Sequence, residues 1–261
     1  MAGGATGTMS RTTYLALAIA ARVLTDVPLL WMFVLIHFGL RGDGGAGNAL
    51  WNAGAFTVWA VLHSLLARDA ARRVMSRWLG LDFVRIAYVF VAGITLALLL
   101  LVWRPVSGEL WHATGAAAWL LSALYLASLV GLVLTTSHFD YAEFLGLRQI
   151  KSRVTGRPPR PPGLSLEGPY GYCRHPMYLA MLAAFWVGPV MSSGRLEFAA
   201  LSTLYLLVGL RLEERNLRRE LGPEYDRYRA NVPMLIPRLT PWRQPGRTAD
   251  RQEAAGSGTR S

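Results

Sequence analysis

Residues 83–103 run Phe83-Val-Arg-Ile-Ala-Tyr-Val-Phe-Val-Ala-Gly-Ile-Thr-Leu-Ala-Leu-Leu-Leu-Leu-Val-Trp103, with Arg85 as the one charged side chain. About 20 such residues in a helix cross the ~30 Å hydrocarbon layer of a bilayer. Working outward, similar segments occupy Tyr14–Leu40, Leu50–Ala67, Thr114–Ser137, Pro176–Met191 and Leu196–Leu212. The first is too long for a signal peptide, carries Arg22 and Asp26, and has no clear small-residue cleavage site. Composition agrees. The 261 residues are 52% hydrophobic and 16% charged, against roughly 25% charged in soluble domains. Mean hydropathy is +0.29. A disordered chain, a collagen-like repeat and a disulfide scaffold are excluded. The single cysteine, Cys173, rules out an internal disulfide and a cysteine-based zinc cluster.

The net charge of +11 arises from 27 basic and 16 acidic residues. The arginines alternate with apolar runs and lack the clustering of a DNA-reading face, so no nucleic-acid partner is expected. Around six spans, 22 of the 27 basic residues fall on one side and Arg41, Arg104 and Arg195 on the other, with Arg22 and Arg85 inside spans. The positive-inside rule then places both termini in the cytoplasm. Arginine outnumbering lysine suits a GC-rich bacterial genome, hence a bacterial inner membrane. The expected fold is an all-α polytopic membrane protein of about six transmembrane helices. It closes with a short helical hairpin and an interfacial C-terminal helix. Residues 1–137 form the N-terminal spans, 138–239 the core, and 240–261 a polar, disordered tail.

The last two spans are short and separated only by Ser192–Arg195, so their cytoplasmic end meets water and soluble ligands. At that end stands Gly168-Pro-Tyr-Gly-Tyr-Cys-Arg-His-Pro-Met-Tyr178. Pro176 suits a first helical position, which sets Arg174 and His175 at a helix N-terminus whose unpaired N–H groups attract carboxylate or phosphate. Tyr178 sits one turn in. The same residues also suit a juxtamembrane arginine and an interfacial tyrosine belt. Glu213-Glu214 follow the last span and return to the level of His175. An ion pair of Glu214 with Arg218 at i,i+4 is the plain explanation; a cationic ligand is the other. An anion-seeking helix start beside an acidic pair is what a zwitterionic sulfonium such as S-adenosylmethionine requires. Beyond Gly222-Pro223, Tyr225 and Tyr228 share a helix face, and Val232-Pro-Met-Leu-Ile-Pro237 is expected to lie across the membrane surface as a cover.

Taken together, Gly-Pro-Tyr-x-Tyr-x-Arg-His-Pro-x-Tyr, Glu-Glu-Arg-x-Leu, Glu-Tyr-x-x-Tyr and Pro-x-Leu-Ile-Pro resemble the isoprenylcysteine carboxyl methyltransferase-like superfamily over roughly residues 138–239. That resemblance implies S-adenosylmethionine at the cytosolic face, with Tyr170, Arg174, His175, Pro176, Tyr178, Glu213, Glu214, Tyr225 and Tyr228 as cofactor-site candidates. His63-Ser64-x-x-Ala67-Arg68, Trp103-Arg-Pro105 with Trp111, and Phe139-Asp-x-x-x-x-x-Gly146-Leu-Arg-Gln149 are similar to the bacterial methanethiol S-methyltransferases and NnrU-type membrane proteins. The reaction so implied converts methanethiol to dimethyl sulfide by direct in-line transfer.

A thiolate attacks far better than a thiol, so a base or cation is needed near the acceptor. His63, His138, Asp140 and Arg148 are expected to line the substrate end. Cys173 is not expected to act, because direct transfer needs no covalent enzyme intermediate, and no metal is called for. Two alternatives stand beside this: a lipid-borne acceptor (an isoprenylcysteine carboxyl or a phospholipid amine), and a non-enzymatic protein ligating haem through His63 and His138. Membrane lipids are the expected surroundings; oligomeric state is left open.

Overall fold

The chain is described here by a computed structural model covering residues 9–136, 141–155 and 168–242. Among the described residues four helices are long and apolar enough to cross a membrane: α1 (Arg11–His37), α2 (Ala46–Leu66), α4 (Leu81–Val102) and α5 (Gly115–Thr136). Between α2 and α4 lies α3 (Asp69–Leu79). A short strand, β1 (Glu109–His112), precedes α5, and two small helices, α6 (Tyr141–Phe144) and α7 (Leu147–Thr155), follow it. After a 3-10 turn at Gly168–Gly171 come α8 (Pro176–Trp186), β2 (Val190–Ser192), α9 (Ser193–Leu221) and α10 (Pro223–Asn231). The architecture is almost wholly helical, as the sequence implies.

Helix α1 packs on α4, α5 on α8, and α2 on both α4 and α9. Where α1 crosses α4 the backbones touch: a Cβ on Gly93 would sit 1.8 Å from the Leu24 carbonyl oxygen, so only glycine fits. The main core, including Phe33, Ile36, Phe56, Leu99, Tyr125, Phe185 and Phe198, lies among α1, α2, α4, α5, α8 and α9. Outward faces stay apolar, as at Trp119, Leu126 and Val133 of α5. Such faces suit hydrocarbon, not water. Arg22 is answered within its own helix by Asp26 at 2.9 Å, and Asp26 also accepts the Tyr141 hydroxyl. Charges in an apolar segment persist when paired in this way.

One end of the bundle is closed by β1 and β2, which pair antiparallel, and by hydrogen bonds from Ser107 N to Gly44 O and from Ser193 N to Gly108 O. The opposite end carries α3, α10 and the start of α8. Helix α3 is amphipathic, with Val74 and Trp78 exposed on one side and Arg73 and Arg77 on another.

The six-span expectation holds for four helices. The fifth expected span, Pro176–Met191, is helical only to Trp186; 11 residues reach about 16 Å. Gly188-Pro189 stops it, since proline lacks an N–H and disfavours helix at the residue before it. The freed carbonyls of Ala184, Phe185, Val187 and Val190 are taken up by the Arg195 guanidinium at 3.3, 3.2, 2.6 and 2.8 Å. Arg195, expected in an exposed connection, therefore lies inside the first turn of α9 at 0% exposure. A Cβ on Gly188 would be 2.1 Å from its Nη1. Residues 196–212, the sixth expected span, form the apolar part of the 29-residue α9, which continues as a charged rod with Arg215, Arg218 and Arg219. The tail beyond Trp242 lies outside the described residues.

Candidate functional site

The site is built on the Gly168–Tyr178 stretch. Gly168 takes a left-handed conformation (φ +59°), opening the 3-10 turn that aims residues 172–175 at the head of α8. His175 is the residue before the helix and Pro176 its first residue, as the sequence requires. The segment after α10 does not lie free as a cover. It is strapped to this stretch by Arg174 N to Pro233 O (2.9 Å), His175 N to Met234 O (3.1 Å), Arg238 N to Tyr172 O (3.0 Å) and Trp242 N to Gly171 O (2.9 Å). Its backbone demand is met by protein in place of water.

Arg174 ties three elements together. Its Nε and Nη2 donate to Glu214 Oε1 and Oε2 at 2.9 and 3.0 Å, a bidentate pair across 40 residues of chain. Its Nη1 donates to the Val232 and Arg229 carbonyls at 2.5 and 3.2 Å, where α10 ends. Glu214 Oε1 also engages His175 Nε2 at 2.6 Å and accepts the Tyr225 hydroxyl at 2.7 Å. Side-chain exposure is 8% for Arg174 and 12% for Glu214. Burial alone would raise the Glu214 carboxyl. The hydrogen bonds from Arg174, His175 and Tyr225, with the arginine's charge, outweigh it and bring the group down to about 2. Burial foremost pushes the Tyr225 and Tyr228 phenols up, so both remain neutral donors. The plain pairing of Glu214 with Arg218 is not formed: Arg218 meets Asp226 at 2.9 Å.

Glu213 is placed differently. Successive residues on a helix diverge by about 100°, and its Oε2 accepts the Tyr178 hydroxyl at 2.6 Å. The Tyr178 ring stands edge-on to His175 at 5.6 Å. The Tyr228 hydroxyl donates to the Tyr170 carbonyl at 2.7 Å, and its ring packs on Tyr225 and Trp242. Eight expected residues (Tyr170, Arg174, His175, Tyr178, Glu213, Glu214, Tyr225 and Tyr228) thus assemble at one end of the molecule, with Pro176 opening α8 beneath them. Cys173 is buried beside them, and burial raises its thiol.

Of the four substrate-end candidates, His63 and Arg148 are among the described residues. His63 lies on α2 within an aromatic group that also contains Trp59, Tyr88 and Tyr205. Arg148 is the second residue of α7, which packs on α1 and α4. His138 and Asp140 lie outside the described residues. Tyr88 and Tyr205 escaped sequence reading; their signal was a phenol within an otherwise apolar run.

Fold and site define a polytopic helical membrane protein with a tyrosine-rich polar cluster on its terminal helical pair. The family model described as NnrU protein matches residues 53–197; the chain belongs to that family. The match takes in His63 and Arg174–Tyr178 and stops before Glu213. Methanethiol S-methyltransferase 2 of Bradyrhizobium diazoefficiens is 39% identical over 198 residues, 75% of this chain and 74% of that one. Methanethiol S-methyltransferase of Mycobacterium tuberculosis is 36% identical over 69% of this chain and 74% of its own. Nurim of Sus scrofa is 31% identical over 64% and 67%. No solved structure matches the chain.

Proposed function

We propose that this protein is an integral membrane methyltransferase that methylates methanethiol to dimethyl sulfide with S-adenosylmethionine as donor. One observation carries the reading: relatives bearing the name methanethiol S-methyltransferase match about three quarters of the chain at up to 39% identity. The chemistry of the cluster agrees. A zwitterionic sulfonium wants electron-rich neighbours at one end and N–H donors at the other. Glu213 and the faces of Tyr170 and Tyr178 answer the first need, and the α8 start the second.

Bound there, S-adenosylmethionine supplies an electrophilic methyl group. The protein's own residues do the rest. Arg174, paired with Glu214 and donating to the Val232 carbonyl, holds the 232–237 segment against α8 and so keeps the cluster closed to water. Glu213 offers its carboxylate to a cationic ligand, with Tyr178 fixing its orientation. Tyr225 and Tyr228 brace the arrangement. His63, His138, Asp140 and Arg148 are proposed for the acceptor end. The charge asymmetry supports an orientation with the site end and both termini in the cytoplasm, the membrane being a bacterial inner membrane in this reading.

Detergent-solubilised protein given methyl-labelled donor and methanethiol should release labelled dimethyl sulfide into the headspace. Failure to methylate any thiol, with the donor bound, would overturn the reading; labelling of a prenylated carboxyl or phospholipid amine would move it to a lipid acceptor.

A further inference from the structure

We propose that the acceptor thiol is held in the aromatic box formed by Trp59, His63, Tyr88 and Tyr205, and that Nδ1 of His63 accepts its proton. The inference rests on the methyltransferase reading above and names the acceptor subsite of that enzyme.

Three elements build the box: α2 supplies Trp59 and His63, α4 supplies Tyr88 and α9 supplies Tyr205. The His63 ring stacks on Trp59 (centroids 5.3 Å, 26° between planes), lies 5.3 Å from Tyr88 and presents its edge to Tyr205 at 6.2 Å. Its Nε2 is hydrogen-bonded to the Tyr88 hydroxyl at 2.8 Å. Its Nδ1 is buried and has no partner among the described residues, and neither has Nε1 of Trp59. Buried polar atoms are almost always paired, and two orphans on adjoining rings require an explanation. In the tautomer whose Nε2–H donates to the Tyr88 oxygen, which the proposal requires, Nδ1 carries the basic lone pair. Around it stand aromatic surfaces, which suit a small, polarisable sulfur.

The box connects in two directions. Trp59 and Leu62 also line an apolar groove of about 590 Å³ between α2 and α4, with Val58, Leu98 and Leu99. A small thiol dissolved in hydrocarbon reaches the box by that path, and the less polar thioether product leaves by it. Towards the donor cluster, Tyr88 and Tyr205 lie within electrostatic range of Tyr178, whose hydroxyl binds Glu213. Tyr178 thus belongs to the donor cluster and lies within electrostatic range of the box. Among the described residues, the ionisable groups on the elements around His63 are Tyr88 with Arg85 beyond it on α4, Tyr205 on α9 and Tyr178 on α8.

The step balances without a further reactant. The thiol S–H bond breaks and its proton passes to Nδ1. The sulfur's electron pair forms the new S–CH3 bond. The methyl group's bond to the donor sulfonium breaks with its electron pair staying on the donor sulfur, which becomes a neutral thioether. The imidazolium then returns its proton to solvent.

The test compares wild type with His63→Gln and Tyr88→Phe, using methanethiol and the more acidic 2,2,2-trifluoroethanethiol, with donor affinity measured by calorimetry. His63→Gln should lower kcat for methanethiol about 100-fold, the contribution expected of a general base. Donor affinity should stay unchanged, and most of the loss should vanish with the acidic thiol, which needs no base. Tyr88→Phe should show the same pattern at about tenfold, and it carries the test if the histidine variant does not fold. Equal losses with both thiols, unchanged activity, or lost donor affinity would overturn the proposal. A wild-type protein that binds donor and methylates neither thiol would fail at the earlier reading and take this one with it.

Discussion

Glu213 and Glu214 are neighbours in the chain, yet their carboxylates meet different partners. Glu214 accepts from Arg174 and Tyr225 and engages His175, so replacing it strands a buried guanidinium. Glu214→Gln should destabilise the protein by about 3–5 kcal/mol, the cost of breaking one side of a buried pair, read as a lowered Tm. With the donor site proposed here, Glu213→Gln should leave Tm near wild type and weaken calorimetric donor binding by about tenfold or more, as loss of a charge facing the cation requires. The pH response follows from the depressed carboxyl. A group held at about 2 against an ordinary 4.5 stabilises the folded state fully above pH 4.5, and that contribution is lost as pH falls through 2. In thermal melts, the difference between wild type and Glu214→Gln should hold constant from pH 7 to 5 and shrink below. The residue types of this cluster were legible beforehand, because proline before a helix and a paired acid at its partner's end are local signals. The pairing itself was not: i,i+4 spacing favoured Arg218 for Glu214, whereas the partner stands 40 residues back.

At the scale of elements, the turn from α8 to α9 depends on one arginine. Four main-chain carbonyls converge on Arg195, and each would be unsatisfied in an apolar setting without it. Arg195→Met preserves the stem and removes the donors; each orphaned carbonyl costs about 1–3 kcal/mol, so the variant should fail to accumulate as folded protein. Gly188→Ala forces a methyl onto the same guanidinium and should cost about 1–3 kcal/mol through overpacking, measured as lost thermal stability. Apolar run length had suggested a helix through Met191. Hydropathy scores Val190 and Met191 as span residues but is blind to Gly188-Pro189, and so the strand pairing of 190–192 with 109–112 stayed hidden. The Ser192 cap of α9, by contrast, is a local device whose hydroxyl accepts from Arg195 N at 3.0 Å.

Across the whole molecule, alternation of the four long helices separates the β1–β2 end from the end bearing the polar cluster. With Cys173 replaced by Ala, single cysteines at Gly45 and Ala70 report on the two ends, since both positions are exposed and a Cβ at Gly45 meets nothing within 4 Å. In intact cells an impermeant thiol reagent should label Gly45→Cys at once and Ala70→Cys only after permeabilisation; the reverse pattern would invert the proposed orientation.

Membrane residence, the positions of α1, α2, α4 and α5, and the charge difference between their ends were all determined by the amino-acid sequence. Transfer of apolar residues to lipid and the bias of arginine are sums over nearby residues, and need no knowledge of what touches what. Only the tertiary structure decided that Arg174 meets Glu214, that His63 meets Tyr88, and that Arg195 is buried among carbonyls. Those pairings depend on how helices cross and at what height. Once water is excluded, a polar group is held by whichever partner the packing brings within 3 Å.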